Sequence, residues 1–206
     1  MADTEKIDLY KKHKDQYVEA KKPVLVNIGK AAYLAIDGRG APGGEAFTTR
    51  IGAMYGVAYT IKMTRKFAGM QDYTVCKLEA LWWLDQEQRD WSKVPQDQWN
   101  WKVMIRTPEF VTQKDLDQAV KTLQDKGKEP ECREVRLEFI TEGQCVQMLH
   151  VGPYDQEERT ISQMEAFARS QGLIIAGRHH EIYLSDPRRV APERLKTTLR
   201  HPVRQN

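Results

Sequence analysis

The sequence predicts an α+β protein made of two similar halves, each with the element order β–β–α–β–β. The first observation is a pair of strand-like runs joined by a short polar turn, at 23–38 and again at 134–152. The second is one amphipathic helical stretch after each pair. The third is a strand carrying a glutamate after each helix, at 77–83 and 180–185. Because helices occur once per half, we expect mostly antiparallel sheets with the helices on one face.

Two halves with the same element order are expected to pack about a pseudo-two-fold axis. Ligand sites favour grooves between packed halves, so we expect a ligand cleft between the two modules. The predicted parts are an N-terminal helical arm (1–22), a first module (23–110), a linking helix (111–130) and a second module (131–206).

Hydrophobic periodicity and the positions of glycine and proline define the elements in order. The helical stretches are 5–20 in the arm, 45–66, the linking helix from the N-cap Thr112 to Gly127, and 155–170. The first predicted strand starts at Pro23, and the others are 31–37, 73–84, 99–106, 135–140, 145–151, 181–185 and 195–202. The polar segment 86–98 is interpreted as a loop or a short helix.

Composition excludes several classes of protein. The 206 residues carry a net charge of only +3 with acids and bases interleaved, so no basic stripe indicates a nucleic-acid partner. No apolar run reaches the roughly 20 residues of a membrane span. The charged N-terminus lacks the apolar core of a signal peptide. Three scattered cysteines, Cys76, Cys132 and Cys145, indicate reduced thiols, so we expect a cytoplasmic protein without disulfides.

Aromatic residues are frequent, with five tryptophans and eight tyrosines. Adjacent residues of a strand point to opposite faces, so of Trp82 and Trp83 one should pack under the helix and the other should face the open side. Tyr55 and Tyr59 lie four apart on the first long helix. Core packing is the alternative for any single ring. The candidate ligand-binding aromatic residues are Tyr55, Tyr59, Trp82, Trp83 and Trp101.

The candidate catalytic residues are Glu181 and Tyr183, which share one face of a short strand. A carboxylate in an aromatic cleft can act as a general base, and a phenol can donate a hydrogen bond to an oxygen that gains charge. Glu79 lies at the equivalent place in the first half and is a candidate ligand-binding residue. The alternative is a solvated or salt-bridged glutamate. His179 and His180 are adjacent and have no fixed spacing to other histidines, so we predict neither a metal site nor a cofactor.

Four segments resemble the GyrI-like small-molecule-binding family, whose fold is two tandem SHS2 modules. They are Met148-Leu149-His150-Val151-Gly152-Pro153-Tyr154, His180-Glu181-Ile182-Tyr183-Leu184-Ser185-Asp186, Leu78-Glu79-Ala80-Leu81-Trp82 and Met104-Ile105-Arg106-Thr107-Pro108. The resemblance implies a cleft for flat, hydrophobic, often cationic compounds with an acidic residue at its floor. We include His150, from the first of these segments, among the candidate ligand-binding residues. A stand-alone subgroup of the family hydrolyses the cyclopropane ring of DNA-alkylating natural products, using an aromatic cage.

Three functions follow as hypotheses. In the first, the chain hydrolyses flat aromatic xenobiotics such as these alkylating compounds, with Glu181 as the base. In the second, it binds and sequesters them as a multidrug-binding protein. The third alternative is a protein-interaction module, such as a gyrase-inhibitor-like protein. No helix-turn-helix segment is legible, so direct control of transcription is not expected. The first two hypotheses share one pocket and differ in whether the bound ligand is chemically changed.

Overall fold

The computed structural model describes residues 5–85, 91–128 and 130–206. This part of the chain contains nine strands and four α-helices, which confirms the predicted α+β class. The helices are α1 (Leu9–Lys12), α2 (Glu45–Phe67), α3 (Gln113–Asp125) and α4 (Glu158–Ser170). The strands are β1 (Val24–Ile28), β2 (Ala31–Arg39), β3 (Leu78–Trp83), β4 (Asn100–Arg106), β5 (Arg136–Ile140), β6 (Gly143–Val151), β7 (Leu173–Ile175), β8 (His179–Tyr183) and β9 (Lys196–Gln205).

The three long helices lie where apolar periodicity predicted them. Thr112 caps α3 as expected: its side chain accepts a hydrogen bond from the Asp115 amide, while the Asp115 carboxylate accepts one from the Thr112 amide. The predicted helical arm is wrong over most of its length, because only Leu9–Lys12 is α-helical. Its dense charges leave few apolar side chains to hold a longer helix against a core. The short strand β7 was not predicted.

The chain divides into two compact units, and the first comprises Met1–Lys12, Ala31–Cys76 and Trp82–Ile140. Within it, β2 pairs in antiparallel fashion with both β4 and β5. The apolar face of α2 buries Met54, Val57 and Ile61. Among the described residues no helix is both long and apolar enough to cross a membrane.

The second unit comprises His13–Lys30, Lys77–Leu81 and Thr141–Asn206. Its strand β6 pairs with β1 on one side and β9 on the other, and β9 also pairs with β8 and β7, all antiparallel. The core lies between these strands and α4, where Met164 and Ala168 pack against Val146, Met148 and Leu199. This packing fixes α4, and with it the turn that precedes α4, over one face of β6 and β9.

Each unit takes its outer strand from the other half of the sequence. β1 precedes β2 by two residues in the chain, yet it pairs with β6 of the second unit. In the same way β5 precedes β6, yet it pairs with β2 of the first unit. The two-residue links Gly29–Lys30 and Thr141–Glu142 therefore connect strands of different units and do not close hairpins. β3 contributes residues to both units.

Candidate functional site

The strand β8 directs Glu181 and Tyr183 to one face, as alternation predicted. Glu181 lies opposite Leu199 of β9, and Leu199 packs against α4, so this is the face that α4 covers. The Glu181 side chain is 12% exposed, at the edge of the apolar core. His179 lies two residues earlier on the same face. A carboxylate, an imidazole and a phenol are thus arranged along three alternate positions of one strand.

An aromatic pair borders this row of polar side chains. The rings of Tyr154 and Tyr183 meet edge to face, with centroids 6.0 Å apart and an interplanar angle of 86°. Tyr154 remains 39% exposed. Burial, aided by the nearby carboxylates of Glu181 and Glu157, raises the pKa of Tyr154 to about 12. The Tyr154 phenol therefore stays protonated at neutral pH and offers a hydrogen-bond donor beside these carboxylates.

His179 connects two carboxylates and a second histidine. Its Nε2 lies 3.2 Å from Oε1 of Glu181 and 3.5 Å from Oε2 of Glu157. Its Nδ1 lies 2.8 Å from Nε2 of His201. Glu157 is only 8% exposed, although it lies in the turn before α4. The strand β9 and the start of α4 therefore bring His201 and Glu157 to the two sides of His179.

The protons of this cluster are unevenly distributed. Burial alone would lower the pKa of His179, but its hydrogen bonds to Glu157 and Glu181 outweigh burial and raise it to about 9. Burial, aided by the charge of Glu181, raises the pKa of Glu157 to about 8. Burial also holds the pKa of His201 well below its ordinary value, and the charge of His179 lowers it further. At neutral pH His179 is charged and His201 is neutral.

His150 braces the turn that carries Tyr154 and Glu157. Its Nε2 lies 3.0 Å from the Pro153 carbonyl oxygen, and its Nδ1 lies 2.9 Å from Oγ1 of Thr160 in α4. A carbonyl only accepts, so Nε2 carries the proton and Nδ1 accepts from the Thr160 hydroxyl. The positive φ of Gly152, 143°, allows the sharp exit from β6. The structure thus gives His150, a predicted ligand-binding residue, two protein partners for its two ring nitrogens.

Glu79 is not brought together with Glu181. Its carboxylate accepts a hydrogen bond from the Tyr17 hydroxyl at 2.7 Å, and its Oε2 lies 3.0 Å from Nε2 of His180. His180 alternates with Glu181 along β8, so Glu79 lies on the opposite face of that strand. Glu79 is fully buried there. The expected sharing of one ligand by these two carboxylates has no geometric basis.

The predicted aromatic residues of the first unit form a packed cluster of their own. Trp82 lies 5.2 Å from Phe47 of α2 and Trp101 lies 5.1 Å from it, measured between ring centroids. Trp82 is therefore the indole that packs under the helix, and Trp83 points to the other face of β3. Tyr55 and Tyr59 stack along α2 with centroids 6.2 Å apart. Trp101 and Trp82 are buried and belong to the core of this unit.

A groove of about 660 Å³ lies elsewhere in the first unit, between α3 and β5. Its lining includes Asp117, Lys121 and Arg136, and it contains none of the predicted site residues. The groove is shallow and charged, whereas sites for flat aromatic ligands are concave and mostly apolar. The cluster around Glu181 contains the predicted catalytic residues beside the Tyr154–Tyr183 pair, and it is therefore the candidate site.

Three residues of that cluster were missed from the sequence. Tyr154 lies at the end of the segment 148–154, which carried the family resemblance. In the sequence His179 is only the neighbour of His180, whereas the structure directs the two rings to opposite faces of β8. Glu157 gives no signal in the sequence, because only the packing of α4 turns this acidic residue inward.

An α+β fold with antiparallel sheets, together with a largely buried carboxylate beside aromatic rings, is typical of a small-molecule-binding domain. Residues 22–204 match the model of the GyrI-like small molecule binding domain, and the chain belongs to this family. No curated protein sequence is similar enough to count as a match.

Solved structures agree with this assignment. A hydrolase from Listeria innocua is 36% identical, with a TM-score of 0.88, over 97% of this chain and 100% of that one. An uncharacterised conserved protein from Listeria innocua is 37% identical, with a TM-score of 0.90 over the same shares. The EcmrR C-terminal domain is 10% identical with a TM-score of 0.57, covering 90% of this chain and 98% of that domain, which shows the fold alone.

Proposed function

We propose that this protein hydrolyses flat, hydrophobic aromatic compounds that carry a strained electrophilic ring, such as cyclopropane-bearing DNA-alkylating agents. The observation that carries the proposal is the position of Glu181, a partly exposed carboxylate in contact with His179 and next to the Tyr154–Tyr183 pair. The likeness to a Listeria innocua hydrolase over nearly the whole of both chains supports a hydrolytic activity.

Binding follows from the apolar and acidic character of this surface. The faces and edges of Tyr154 and Tyr183 offer stacking contacts to a planar ring system, at about 0.5–1.5 kcal/mol for each aromatic pair. A cationic ligand gains a further contribution of about 0.5–2 kcal/mol from the ring faces. The carboxylate of Glu181 attracts the same charge. Flat aromatic compounds, including cations, are therefore the expected ligand class.

Ring opening then requires a base and a stabilised leaving electron pair. Glu181 takes a proton from a water molecule, whose oxygen forms a bond to the cyclopropane methylene carbon. The carbon–carbon bond of the ring breaks, and its electron pair passes through the conjugated ring system of the substrate to the substrate's carbonyl oxygen. That oxygen becomes a phenolate, accepts a hydrogen bond from Tyr183, and finally takes up a proton from solvent, while Glu181 releases its proton to solvent and is restored as the base. General-base catalysis of this kind contributes about 10²–10⁴-fold to the rate.

The substitution Glu181→Gln tests the assignment, because it keeps the shape of the side chain and removes the base. We expect ligand binding within a few-fold of the parent and a loss of turnover of about 10²-fold or more. Turnover is measured by mass spectrometry of the recovered compound, which gains the mass of one water molecule. Glu165→Gln, an exposed position of α4, is the matched control and should leave both quantities unchanged. Equal turnover in Glu181→Gln and the parent would show that this carboxylate is not the base.

Sequestration without chemistry is the second candidate function. The description of the family as small-molecule-binding supports it directly. The same mass-spectrometric experiment separates the two functions: a ligand recovered unchanged after prolonged incubation with the parent protein indicates a binder. In that case Glu181→Gln should weaken the binding of cations selectively, because its carboxylate then serves only as a counter-charge.

A further inference from the structure

The side chains of Glu157, His179 and Glu181 form a compact group of potential metal ligands. One ligand atom from each residue, two carboxylate oxygens and the imidazole Nε2, lies within 4.8 Å of the other two. Glu157 is 8%, His179 10% and Glu181 12% exposed, so the group is largely removed from solvent. Clusters of acidic residues at the surface are common, but a nearly buried set that includes a histidine is a more specific arrangement.

The spacing of the ligand atoms matches a tetrahedral ion. Zinc binds histidine nitrogen and carboxylate oxygen at about 2.0–2.2 Å, so neighbouring ligand atoms of a tetrahedral site lie roughly 3.3–3.6 Å apart. The distances from His179 Nε2 are 3.2 Å to Glu181 Oε1 and 3.5 Å to Glu157 Oε2. The third pair, the carboxylate oxygens of Glu157 and Glu181, lies within 4.8 Å. Two of the three separations therefore match those of a tetrahedral zinc site.

The orientation of the imidazole is also that of a metal ligand. His179 Nδ1 lies 2.8 Å from His201 Nε2, which leaves Nε2 of His179 directed at the two carboxylates. Histidines that bind metals almost always donate the proton of the other ring nitrogen to an acceptor, which fixes the tautomer. Here His201 provides the acceptor, and its own proton then resides on Nδ1. This hydrogen bond fixes the ring of His179 with Nε2 directed at the two carboxylates, and binding of the ion displaces the proton that Nε2 carries in the metal-free protein.

An unsatisfied oxygen provides an independent indication. Oε1 of Glu157 is buried and has no hydrogen-bond partner among the described residues. A buried carboxylate oxygen without a partner is costly and rare in folded proteins. A cation bound to the Glu157 carboxylate would compensate this cost.

We propose that Glu157, His179 and Glu181 bind one Zn²⁺ ion, with a water molecule in the fourth position. Three protein ligands and one open position are typical of zinc sites that bind small ligands. Magnesium and calcium require six or more oxygen ligands and fit this mixed set less well. His180 takes no part, because it points to the opposite face of β8, where it bonds to Glu142 and Glu79.

The experiment measures metal binding directly and needs no substrate. Glu181 is the base in the metal-free protein and a ligand in the zinc-loaded protein, so metal binding and hydrolysis are tested separately. Chelator-treated full-length protein is titrated with Zn²⁺ by calorimetry, and with Co²⁺ by visible absorption, which reports four-coordinate geometry. We expect one ion per chain, and a rise in the thermal midpoint on addition of zinc. X-ray absorption of the zinc-loaded protein should show nitrogen and oxygen ligands without sulfur.

Three substitutions locate the ion. Glu157→Gln and Glu181→Gln keep side-chain shape, and each should weaken Zn²⁺ binding by about 10-fold or more, as loss of even the outer hydrogen-bond partners of a metal ligand does. His201→Ala should weaken binding through the orientation of His179 and leave the stoichiometry at one. Glu165→Gln on α4 is the control and should bind as the parent does. Absence of binding at millimolar Zn²⁺, or binding that all three substitutions leave unchanged, would overturn the proposal.

Discussion

Nε2 of His180 lies 3.0 Å from Oε2 of Glu79, and neither side chain has any exposed surface. This contact joins β8 to the part of β3 that belongs to the second unit. Nδ1 of the same ring lies 2.9 Å from Oε1 of Glu142, so the imidazole bridges two buried carboxylates. Both ring nitrogens carry protons in this arrangement, and the charged form of His180 is favoured.

A buried polar network extends from this bridge to the N-terminal segment. Arg200 donates from Nη1 to Oε2 of Glu142 at 2.8 Å and from Nε to Oε1 of Gln147 at 2.8 Å. Its Nη2 donates to the Gln16 carbonyl oxygen at 2.6 Å. The Tyr17 hydroxyl donates to Glu79. The network thus neutralises two buried acids and fastens residues 16 and 17 to the sheet of the second unit.

Glu79→Ala should destabilise the protein, because it removes the buried carboxylate that accepts from the Tyr17 hydroxyl and from Nε2 of His180. Breaking a buried ion pair by removing one partner costs about 3–5 kcal/mol. The free energy of unfolding from urea denaturation measures the effect. Tyr17→Phe removes only one hydrogen bond of the same carboxylate and should cost about 1–3 kcal/mol. If Glu79→Ala cost no more than Tyr17→Phe, the His180 contact would contribute nothing to stability.

Acid should weaken the fold through Glu142. Burial alone would raise the pKa of Glu142, but the charges of His180 and Arg200 outweigh it and lower this pKa from 4.5 to about 2. A carboxyl group with a lowered folded-state pKa stabilises the fold fully above its unfolded pKa, and this contribution disappears as the pH falls through the folded value. The stabilisation, on the order of 3 kcal/mol, should therefore be lost between about pH 4.5 and pH 2.

His180, in the same network, gives stability the opposite pH dependence. Burial would lower the pKa of His180, but Glu142 and Glu79 raise it above 6.5. Its contribution is fully present below about pH 6.5 and decreases as the pH rises through the raised value. Comparison of Glu142→Gln with the parent isolates both effects: the difference in unfolding free energy should be largest near about pH 6 and shrink toward about pH 3. A difference that stays constant over this range would contradict the ionic role of Glu142.

Gly38 should not tolerate a side chain, although its backbone is ordinary extended strand. Gly38 of β2 lies directly opposite Trp101 of β4, and a Cβ atom at position 38 would overlap the indole ring. Gly38→Ala should reduce the unfolding free energy by about 1–3 kcal/mol, the usual cost of overpacking. Gly29→Ala is the matched control, since nothing lies within 4 Å of a Cβ atom there, and it should change stability by less than about 0.5 kcal/mol.

Trp101→Ala should lower the free energy of unfolding, because Trp101 is a core residue. The indole is fully buried against Phe47, so its removal creates a large cavity, with an expected cost of about 3–5 kcal/mol. Urea denaturation measures this loss. A variant that unfolds at the parent's urea concentration but binds ligand poorly would instead show that Trp101 contacts the ligand.

Tyr154→Ala should weaken the binding of an aromatic cation. The ring of Tyr154 is 39% exposed beside Glu181, so its loss removes a stacking surface worth about 1–2 kcal/mol, or roughly 5- to 30-fold in affinity. Fluorescence anisotropy of a rhodamine-type dye measures it. Tyr59→Ala removes a 51% exposed ring of α2 and is the comparison. Tyr59 is the tyrosine predicted from the sequence to bind ligand, whereas Tyr154 is identified by the structure. Equal effects of the two substitutions would contradict a site centred on Glu181.

Local sequence patterns were sufficient to predict most helices and strands and the side of each strand to which its side chains point. The apolar periodicity of α2 and α4 and the cap at Thr112 are properties of neighbouring residues, so they are legible in one sequence. Strand alternation also placed Glu181 and Tyr183 on one face and separated Trp82 from Trp83. Recognition of the GyrI-like family from four short segments is confirmed over residues 22–204.

The sequence by itself determined the α+β class, the long helices, the family and the face of β8 that carries Glu181. Only the tertiary structure decided that β1 and β5 exchange between units, that Glu79 joins His180 on the opposite face, and that Glu157 and His201 meet His179. The physical reason is that helix periodicity and strand alternation act between near neighbours. Strand pairing and the burial of charge depend on partners that are distant in sequence, and many pairings satisfy the same local pattern until one core is packed.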